Sequence, residues 1–179
     1  PVLLAHGFRT LYSAVAMDRS LVDFRIPDEI LELKKAREAE GYTFTQARDS
    51  DLYEVIQFAN RKFNPDWGRA IREGILQGLP LERILIARYQ GTVVGFCMYG
   101  GYEGVPERFG PFGVDPDRQG QGLGKLLLNL CLHQMKAESL HSAWFLWTGE
   151  KTSAGYLYKK TGFHITRSFH VMKKQIEAS

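Results

Sequence analysis

A glycine-rich stretch in the second half of the chain limits the fold more than any other feature. It reads VDPDRQGQGLGK, from Val114 to Lys125. It follows the short apolar run Phe109 to Val114 and opens an apolar segment, about Leu123 to Lys136, with helical spacing. Glycines let the backbone bend sharply and approach a ligand closely. The pattern therefore predicts a strand-to-helix turn whose unpaired N–H groups favour an anion.

The rest of the chain alternates between helix and strand patterns. Strands are predicted over residues 42–48, 83–89, 92–99, 109–114, 143–148 and from 163 to 174. Helices are predicted over residues 27–41, from the 49–51 cap to 60, from the 64–66 cap to 77, and over 123–136 and 152–160. This order predicts an α/β protein of the mixed α+β kind.

Composition excludes several classes of protein. The 179 residues carry 23 Lys and Arg against 20 Asp and Glu, so the net charge is +3. That excess is too small and too dispersed to indicate a nucleic-acid partner. No apolar run approaches the ~18 residues of a membrane span. Cys97 and Cys131 both lie in apolar runs and are predicted to be buried free thiols, which suits a cytoplasmic location.

A weak internal repeat links the two ends of the chain. Gly7-Phe8 is followed by Ser13 and Met17, and Gly162-Phe163 is followed by Ser168 and Met172 at the same offsets. One interpretation makes residues 1–21 the end strands of a preceding, similar domain, with residues 22–41 as a linker helix and residues 42–176 as the main domain. The other makes residues 1–21 an N-terminal strand or arm of this domain, and the sequence leaves both open.

Two nucleotide-binding motifs fail on the glycine-rich stretch. A P-loop needs a glycine five residues before Gly124, where Gln119 stands, and Ser or Thr after Lys125, where Leu126 stands. A dinucleotide fingerprint begun at Gly120 would place its last glycine on Lys125. Neither motif is present.

A third pattern, Gln/Arg-x-x-Gly-x-Gly/Ala, does fit, with Gln119, Gly122 and Gly124 in its fixed positions. Here the chain resembles the GNAT superfamily of acyl-CoA-dependent N-acyltransferases, from about residue 42 to 174. Val114-x-Pro116 stands immediately upstream, as is common in that family.

A closing motif strengthens the resemblance. Ala154, Tyr158 and Gly162-Phe163 stand at the family's spacing downstream of the glycine turn. The resemblance implies a central, mostly antiparallel twisted sheet flanked by helices, with a splayed strand pair that holds acyl-CoA. It also implies a binding site for acetyl-CoA, the acyl donor, made by Phe112, Gly113, Val114, Gln119, Gly120, Gln121, Gly122, Leu123, Gly124, Lys125 and Ala154.

The resemblance further implies a reaction. Tyr158 would be the general acid that protonates the departing CoA thiolate after a primary amine attacks the thioester. A phenol with an ordinary pKa near ~10 can donate to a thiolate whose conjugate thiol has a pKa near ~8.5. The alternative is a half-buried tyrosine that only packs its ring. Arg118 and Lys125 could add charge near the phosphates, although Lys125 is equally explained as a solvated lysine.

Some site residues remain open at this level. Many relatives carry Asn three residues before the matching alanine, where this chain has Lys151. No general base can be chosen among the acids of the bordering segments, which are Glu103, Glu107, Asp115 and Glu150. His133, His164 and His170 lack the spacing of metal ligands, so no metal is predicted.

The acceptor is predicted to bind early helices and loops, within residues 63–67 and 100–108. Four aromatic residues could line the acceptor site: Trp67, Tyr99, Tyr102 and Trp147. Packing in the core is the alternative for each of them. Core packing is the favoured interpretation for Trp147, and also for Trp144. The expected partner is a small-molecule or protein amine, with no nucleic acid and no membrane, and a homodimer remains open. The second functional hypothesis is a domain of this fold that holds acyl-CoA without turnover.

Overall fold

The computed structural model describes residues 2–175 and divides the chain into two compact units. The larger unit is Ser20–Ala143. The smaller unit joins the first 19 residues to the chain from Trp144 onward. Ile176, the predicted end of the main domain, lies outside the described residues, as does Pro1.

The larger unit is built on a four-stranded sheet. Its strands follow the order β2-β3-β4-β5, and each neighbouring pair is antiparallel. Their bounds are β2 Tyr42–Gln46, β3 Ile84–Tyr89, β4 Thr92–Tyr99 and β5 Phe109–Val114. The Gln90-Gly91 turn joins β3 to β4 as a hairpin, as the sequence predicts. β5 therefore forms one edge of this sheet.

Four helices accompany the sheet: α2 Asp28–Ala39, α3 Leu52–Lys62, α4 Pro65–Leu76 and α5 Leu123–Ala137. Asn64 caps α4, because its side chain accepts a hydrogen bond from the Trp67 N–H at 3.2 Å. Residues Asp49–Asp51 form a 3₁₀ turn that leads into α3, and Asp51 stands at the predicted N-cap position, although its side chain makes no capping hydrogen bond to that helix.

The core of the larger unit collects the apolar faces that the periodicity predicts. Val55, Phe58 and Ala59 of α3 pack with Ile84 and Ile86 of β3. The long helix α5 buries most of its side chains and packs on β4 and β3. Cys97 of β4 and Cys131 of α5 are buried and free, which confirms their predicted state.

The smaller unit holds a three-stranded sheet of order β6-β1-β7. Its elements are α1 Val2–Ala5, β1 Arg9–Ser20, β6 Ser142–Thr148, α6 Ser153–Lys160 and β7 His164–Lys173, although the first two residues of β6 cluster with the larger unit. β1 stands in the centre and pairs antiparallel with β7. Within the predicted N-terminal segment 1–21, Arg9–Ser20 thus form one long strand.

The predicted fold class is confirmed, with one difference in the sheet. Helices flank antiparallel strands, and almost every predicted element exists near its predicted bounds. The strands fall into two separate sheets of four and three. The splayed strand pair implied by the resemblance points to a gap, but no local pattern gives two sheets, because pairing between β1 and β7 joins residues more than 140 positions apart.

Candidate functional site

The strand β5 leads the backbone into the glycine turn. Cys97 and Phe96 of β4 pair with Phe112 and Gly113 of β5, respectively. No described strand of the sheet lies beyond β5. An edge strand is where an extended ligand can add a further chain of amides to a sheet.

The turn itself is shaped by two glycines with positive φ. Gly120 has φ +81° and Gly122 has φ +77°, a region that other residues rarely adopt. A Cβ atom at Gly122 would also lie 2.9 Å from Cδ2 of Leu33 on α2. Helix α5 begins at the next residue, Leu123, which is buried. The conformation thus favours glycine at position 122, and the end of the Leu33 side chain would have to shift to admit a Cβ there.

The backbone amides of this turn are not used inside the protein. Within residues 2–175, the N–H groups of residues 120–125 donate to no acceptor. Several of them belong to the first turn of α5, where the helix dipole favours negative charge. The predicted strand-to-helix turn exists, and its free donors suit a phosphate group.

Three cations lie around the turn, and two of them are paired with acids. Lys125 Nζ is 2.6 Å from Glu29 Oε1 on α2. Lys62 Nζ lies 2.9 Å from Asp115 Oδ1 and 3.0 Å from Asp117 Oδ2, and these hydrogen bonds raise the pKa of Lys62. Both cations are therefore partly neutralised by partners in the protein.

Arg118, the third cation, contacts two tyrosine side chains and not a carboxylate. Its guanidinium carbon lies 4.1 Å from the centroid of the Tyr89 ring, and Nη1 lies 3.3 Å from Tyr42 Oη. Tyr42 in turn donates to Gln121 Oε1 in the turn. The hydrogen bond with Tyr42 raises the pKa of Arg118. Within the described part of the chain, Arg118 has no ion pair, so its charge remains available to an anion.

An aromatic cluster covers β5 next to the turn. A Cβ at Gly113 would lie 2.3 Å from Cζ of Phe63, so that ring rests directly on the strand. Phe63 stacks on Trp67 with centroids 4.5 Å apart, and both contact Phe96 edge-on. The predicted acceptor segment 63–67 thus lies against β5. Phe58 completes the cluster.

Three other predicted acceptor aromatics differ in their environments. Tyr99 is fully buried and donates to Glu138 Oε1 at 2.5 Å, so its predicted place in a substrate wall is wrong. Burial, followed by that hydrogen bond, raises the pKa of Tyr99. Tyr102 lies under the Arg108 guanidinium at 4.5 Å. Trp147 is 53% exposed with φ +76° and packs on Phe169, so the expectation that it is a core residue is wrong.

Tyr158 lies in the smaller unit, on α6. The Thr152 side chain caps this helix by accepting from the Gly155 N–H at 3.1 Å. The Tyr158 ring is buried, with its centroid 4.3 Å from that of Phe145 and 5.5 Å from that of Phe163. Ala154 is half-buried in the first turn of the same helix. The ring is therefore fixed by packing.

Three of the four candidate bases are paired with cations. Glu103 Oε2 lies 2.8 Å from Arg108 Nη1. Glu150 Oε1 lies 2.7 Å from Lys159 Nζ, and that contact lowers the pKa of Glu150. Partial burial would raise the pKa of Asp115, but hydrogen bonds from Lys62 and the Asp117 N–H outweigh it and lower that pKa. These pairings weaken each of the three acids as a base.

Sequence patterns do not reveal the partners that hold the turn. Leu33 and Glu29 belong to α2, and Tyr42 and Tyr89 belong to β2 and β3. All precede the turn by 29 or more positions, so only the fold brings them together. Across residues 2–175, no group of three or more metal-ligating side chains is placed to hold an ion. No described helix is long and apolar enough to cross a membrane.

The sequence and the fold are similar to those of known proteins. Residues 80–165 match the family model described as an acetyltransferase (GNAT) domain. The chain is 28% identical over 156 residues to the mycothiol acetyltransferase of Streptomyces griseus, a match that covers 81% of this chain and 48% of that protein. The chain thus spans about half the length of the curated relatives that it matches.

Solved structures share the fold at low identity. One is described as a GCN5-related glucosamine N-acetyltransferase region of a fungal multi-domain GH3 β-N-acetylglucosaminidase, with TM-score 0.78, 16% identity, and coverage of 96% of this chain and 22% of that one. Another is a GNAT family acetyltransferase from Brucella melitensis in complex with acetyl-CoA, with TM-score 0.55, 20% identity, and coverage of 78% and 94%.

Proposed function

We propose that this chain, which belongs to the GNAT superfamily, transfers an acetyl group from acetyl-CoA to a primary amine, with Tyr158 as the general acid. The observation that carries the proposal is the set of unused amides at residues 120–125, at the start of α5. They lie inside the region that matches the acetyltransferase model.

The cofactor is proposed to bind along β5 and into the turn. The pantetheine arm runs along β5 at Phe112 to Val114, the last described strand of its sheet, as an added strand would. The amides of residues 120–125 then surround the pyrophosphate, and Gly120 and Gly122 allow the backbone to come close, whereas the predicted contact from the Gln119 N–H is less favourable because that group donates to Pro116 O at 3.3 Å. The Brucella relative with bound acetyl-CoA supports the choice of ligand.

Arg118 is proposed to add the cationic contact to the phosphates. Lys125 is paired with Glu29 and Lys62 with Asp115, whereas Arg118 rests on neutral tyrosines and keeps its full charge. Arginine also presents several donors in one plane and suits phosphate oxygens. Arg118 therefore contributes more to cofactor affinity than Lys125.

The chemical step is an acyl transfer in which the amine nitrogen attacks the thioester carbonyl carbon. A C–N bond forms and the C–S bond breaks. The Tyr158 hydroxyl gives its proton to the leaving sulfur, and the nitrogen releases one proton to water, from which the phenolate is protonated again. The products are an N-acetylated amine and CoA. Packing of Tyr158 between Phe145 and Phe163 holds the phenol in one orientation.

The acceptor is proposed to be a primary amine that contacts the aromatic cluster of Phe63 and Trp67. The ring of Phe63 lies over Gly113 of the strand that is proposed to hold the cofactor arm. The description of one similar structure names glucosamine as the acceptor, so an amino sugar is the first acceptor to test.

A thiol-release assay with a panel of amines tests the proposed activity. The panel contains glucosamine, a lysine peptide and an aromatic amine. Y158F should lower turnover about 10²–10⁴-fold while CoA affinity is kept, which is the range for general acid catalysis. Y156F is the matched control, since Tyr156 lies on the same helix but is 55% exposed. Unchanged turnover in Y158F, or no thiol release with any amine, contradicts the proposal.

A further inference from the structure

The internal repeat seen in the sequence is also a repeat of structure. Residues 2–20 correspond to residues 157–175 at a constant offset of 155, which relates Gly7 to Gly162. The end of α1 and the end of α6 are each followed by two turn residues, a single link residue and a strand. Gly7 has φ +81° and Gly162 has φ +88°.

The backbone hydrogen bonds of the two copies agree one by one. Each helix closes with the same pair of bonds, from the glycine and from the phenylalanine: Gly7 to Leu4 (3.1 Å) and Phe8 to Leu3 (3.1 Å), against Gly162 to Lys159 (3.0 Å) and Phe163 to Tyr158 (3.0 Å). This glycine cap is common at helix ends, so the evidence for a repeat comes from the strand pairing that follows the two caps.

The two copies also pair with each other symmetrically. Ala14 of β1 faces Phe169 of β7, which is its own equivalent in the repeat. Ser13 faces His170, and the equivalent positions, Ser168 and Val15, face each other in return. In all nine partner pairs of the ladder, exchanging each residue for its equivalent in the other copy gives a pair that is also present.

The irregularities of the ladder obey the same symmetry. The ladder skips Leu11 on β1 and Thr166 on β7, and these two residues are equivalent in the repeat. Contacts at the two glycines match as well. A Cβ on Gly7 would meet Lys174, and a Cβ on Gly162 would meet Arg19, which is the equivalent of Lys174. β1 and β7 are therefore related by a local two-fold axis that passes between Ala14 and Phe169.

The two-fold symmetry predicts a neighbouring strand at the edge of β7 that faces away from β1. β1 carries β6 on the edge that faces away from β7. In an isologous arrangement, every contact made by one copy is repeated by the other. We propose that the edge of β7 facing away from β1 is the docking surface for a strand of the same polypeptide upstream of Pro1, equivalent to β6.

The properties of β7 support this occupant. β7 is ten residues long and mostly exposed, and no described strand pairs with its second edge. Such a long unpaired edge attracts another chain unless it is covered. The curated relatives are about twice as long as the part matched here, which leaves room for a second unit of the same kind. Residues 2–20 are then the closing segment of that unit.

This inference stands apart from the proposed reaction, because it uses only the repeat and the ladder of the smaller unit. In the same repeat, Leu3 takes the place of Tyr158. An acyl-CoA site could fail every test in the larger unit without changing the pairing expected at β7.

Hydrogen–deuterium exchange on the complete gene product, with residue-level fragmentation, tests the proposal. Amides of an antiparallel edge strand alternate between those that bond the neighbour and those that point away. We expect consecutive amides of β7 to be protected as strongly as those of β1, which has neighbours on both sides. The upstream segment equivalent to β6 should show strand-like protection at the same time.

Two results would overturn the proposal. Alternating protection along β7, with the outward amides exchanging as fast as a solvent-exposed edge, means that nothing covers this surface. Full protection that falls on tenfold dilution of the protein means that a second copy, and not an upstream strand, covers it.

Discussion

The guanidinium carbon of Arg118 lies 4.1 Å from the centroid of the Tyr89 ring, directly beside a turn whose amides are unused. A cation held over an aromatic face keeps its charge, whereas one paired with a carboxylate is partly neutralised. This contact therefore gives Arg118 a different expected contribution to phosphate binding from that of Lys125, whereas the sequence alone offers both as cations near the phosphates.

Replacing Arg118 should weaken acetyl-CoA binding more than replacing Lys125. R118Q removes a charge-assisted hydrogen bond to phosphate and is expected to raise the dissociation constant about tenfold, or about 1.4 kcal/mol. K125Q removes a charge that Glu29 already compensates, so its effect should stay within about threefold. Calorimetric titration of both variants decides the order, and an equal or larger loss in K125Q would refute it.

Replacing Gly122 by alanine should destabilise the protein for two separable reasons. The positive φ strains any residue with a Cβ, and that Cβ would meet Leu33 at 2.9 Å. G91A is the matched control, since Gly91 has φ +85° but nothing within 4 Å of the added atom. We expect G91A to cost about 1 kcal/mol and G122A about 2–3 kcal/mol in urea unfolding. Equal losses would mean that Leu33 yields without cost.

Loss of Lys62 should change how the protein responds to acid. The pKa of Asp115 lies below its usual value, so the pairing stabilises the fold above the unfolded-state pKa and is lost as pH falls through the folded one. K62M should raise the Asp115 pKa towards its unfolded-state value and so reduce the stability that the protein loses as pH falls. Carboxyl NMR titration measures it, with R69M as the control because Arg69 pairs with Asp66 elsewhere on the surface. An unmoved Asp115 pKa in K62M would contradict the assigned cause.

Both thiols should resist modification in the native protein. Cys97 and Cys131 are fully buried, and burial, followed by the hydrogen bond with Cys131, raises the pKa of Cys97. Since the thiolate is the reactive form, a disulfide reagent such as DTNB should react only after denaturant unfolds the chain. Rapid reaction of either thiol without denaturant would show that the core between β4 and α5 opens.

Local signals account for most of the secondary structure. Glycine and asparagine mark the ends of helices, and apolar spacing gives the buried faces of α3 and α5. The turn at residues 120–122 was predicted because glycine clusters between a strand and a helix have few other uses. The role of Tyr158 is implied by the resemblance of its motif to the family's closing motif and stays a prediction, and its packing on Phe145 is not foreseeable from the chain order.

Contacts between distant segments were beyond the reach of sequence patterns. Nothing near Lys125 indicates Glu29, and nothing near Arg118 indicates Tyr89, because each pair forms only when the sheet and α2 assemble. Tyr99 was misassigned for a related reason. Its ring belongs to a strand that is buried along almost its whole length, and its hydroxyl is satisfied by Glu138 on the far end of α5.

Calorimetric titration of the unmodified protein with acetyl-CoA, CoA and ATP tests the proposed cofactor site most directly. All three ligands carry phosphates, but only the first two carry the pantetheine arm that β5 is proposed to hold. We expect acetyl-CoA and CoA to bind with similar affinity and ATP to bind at least tenfold more weakly. No binding of acetyl-CoA to folded protein, or equally tight binding of ATP, would contradict the proposed site.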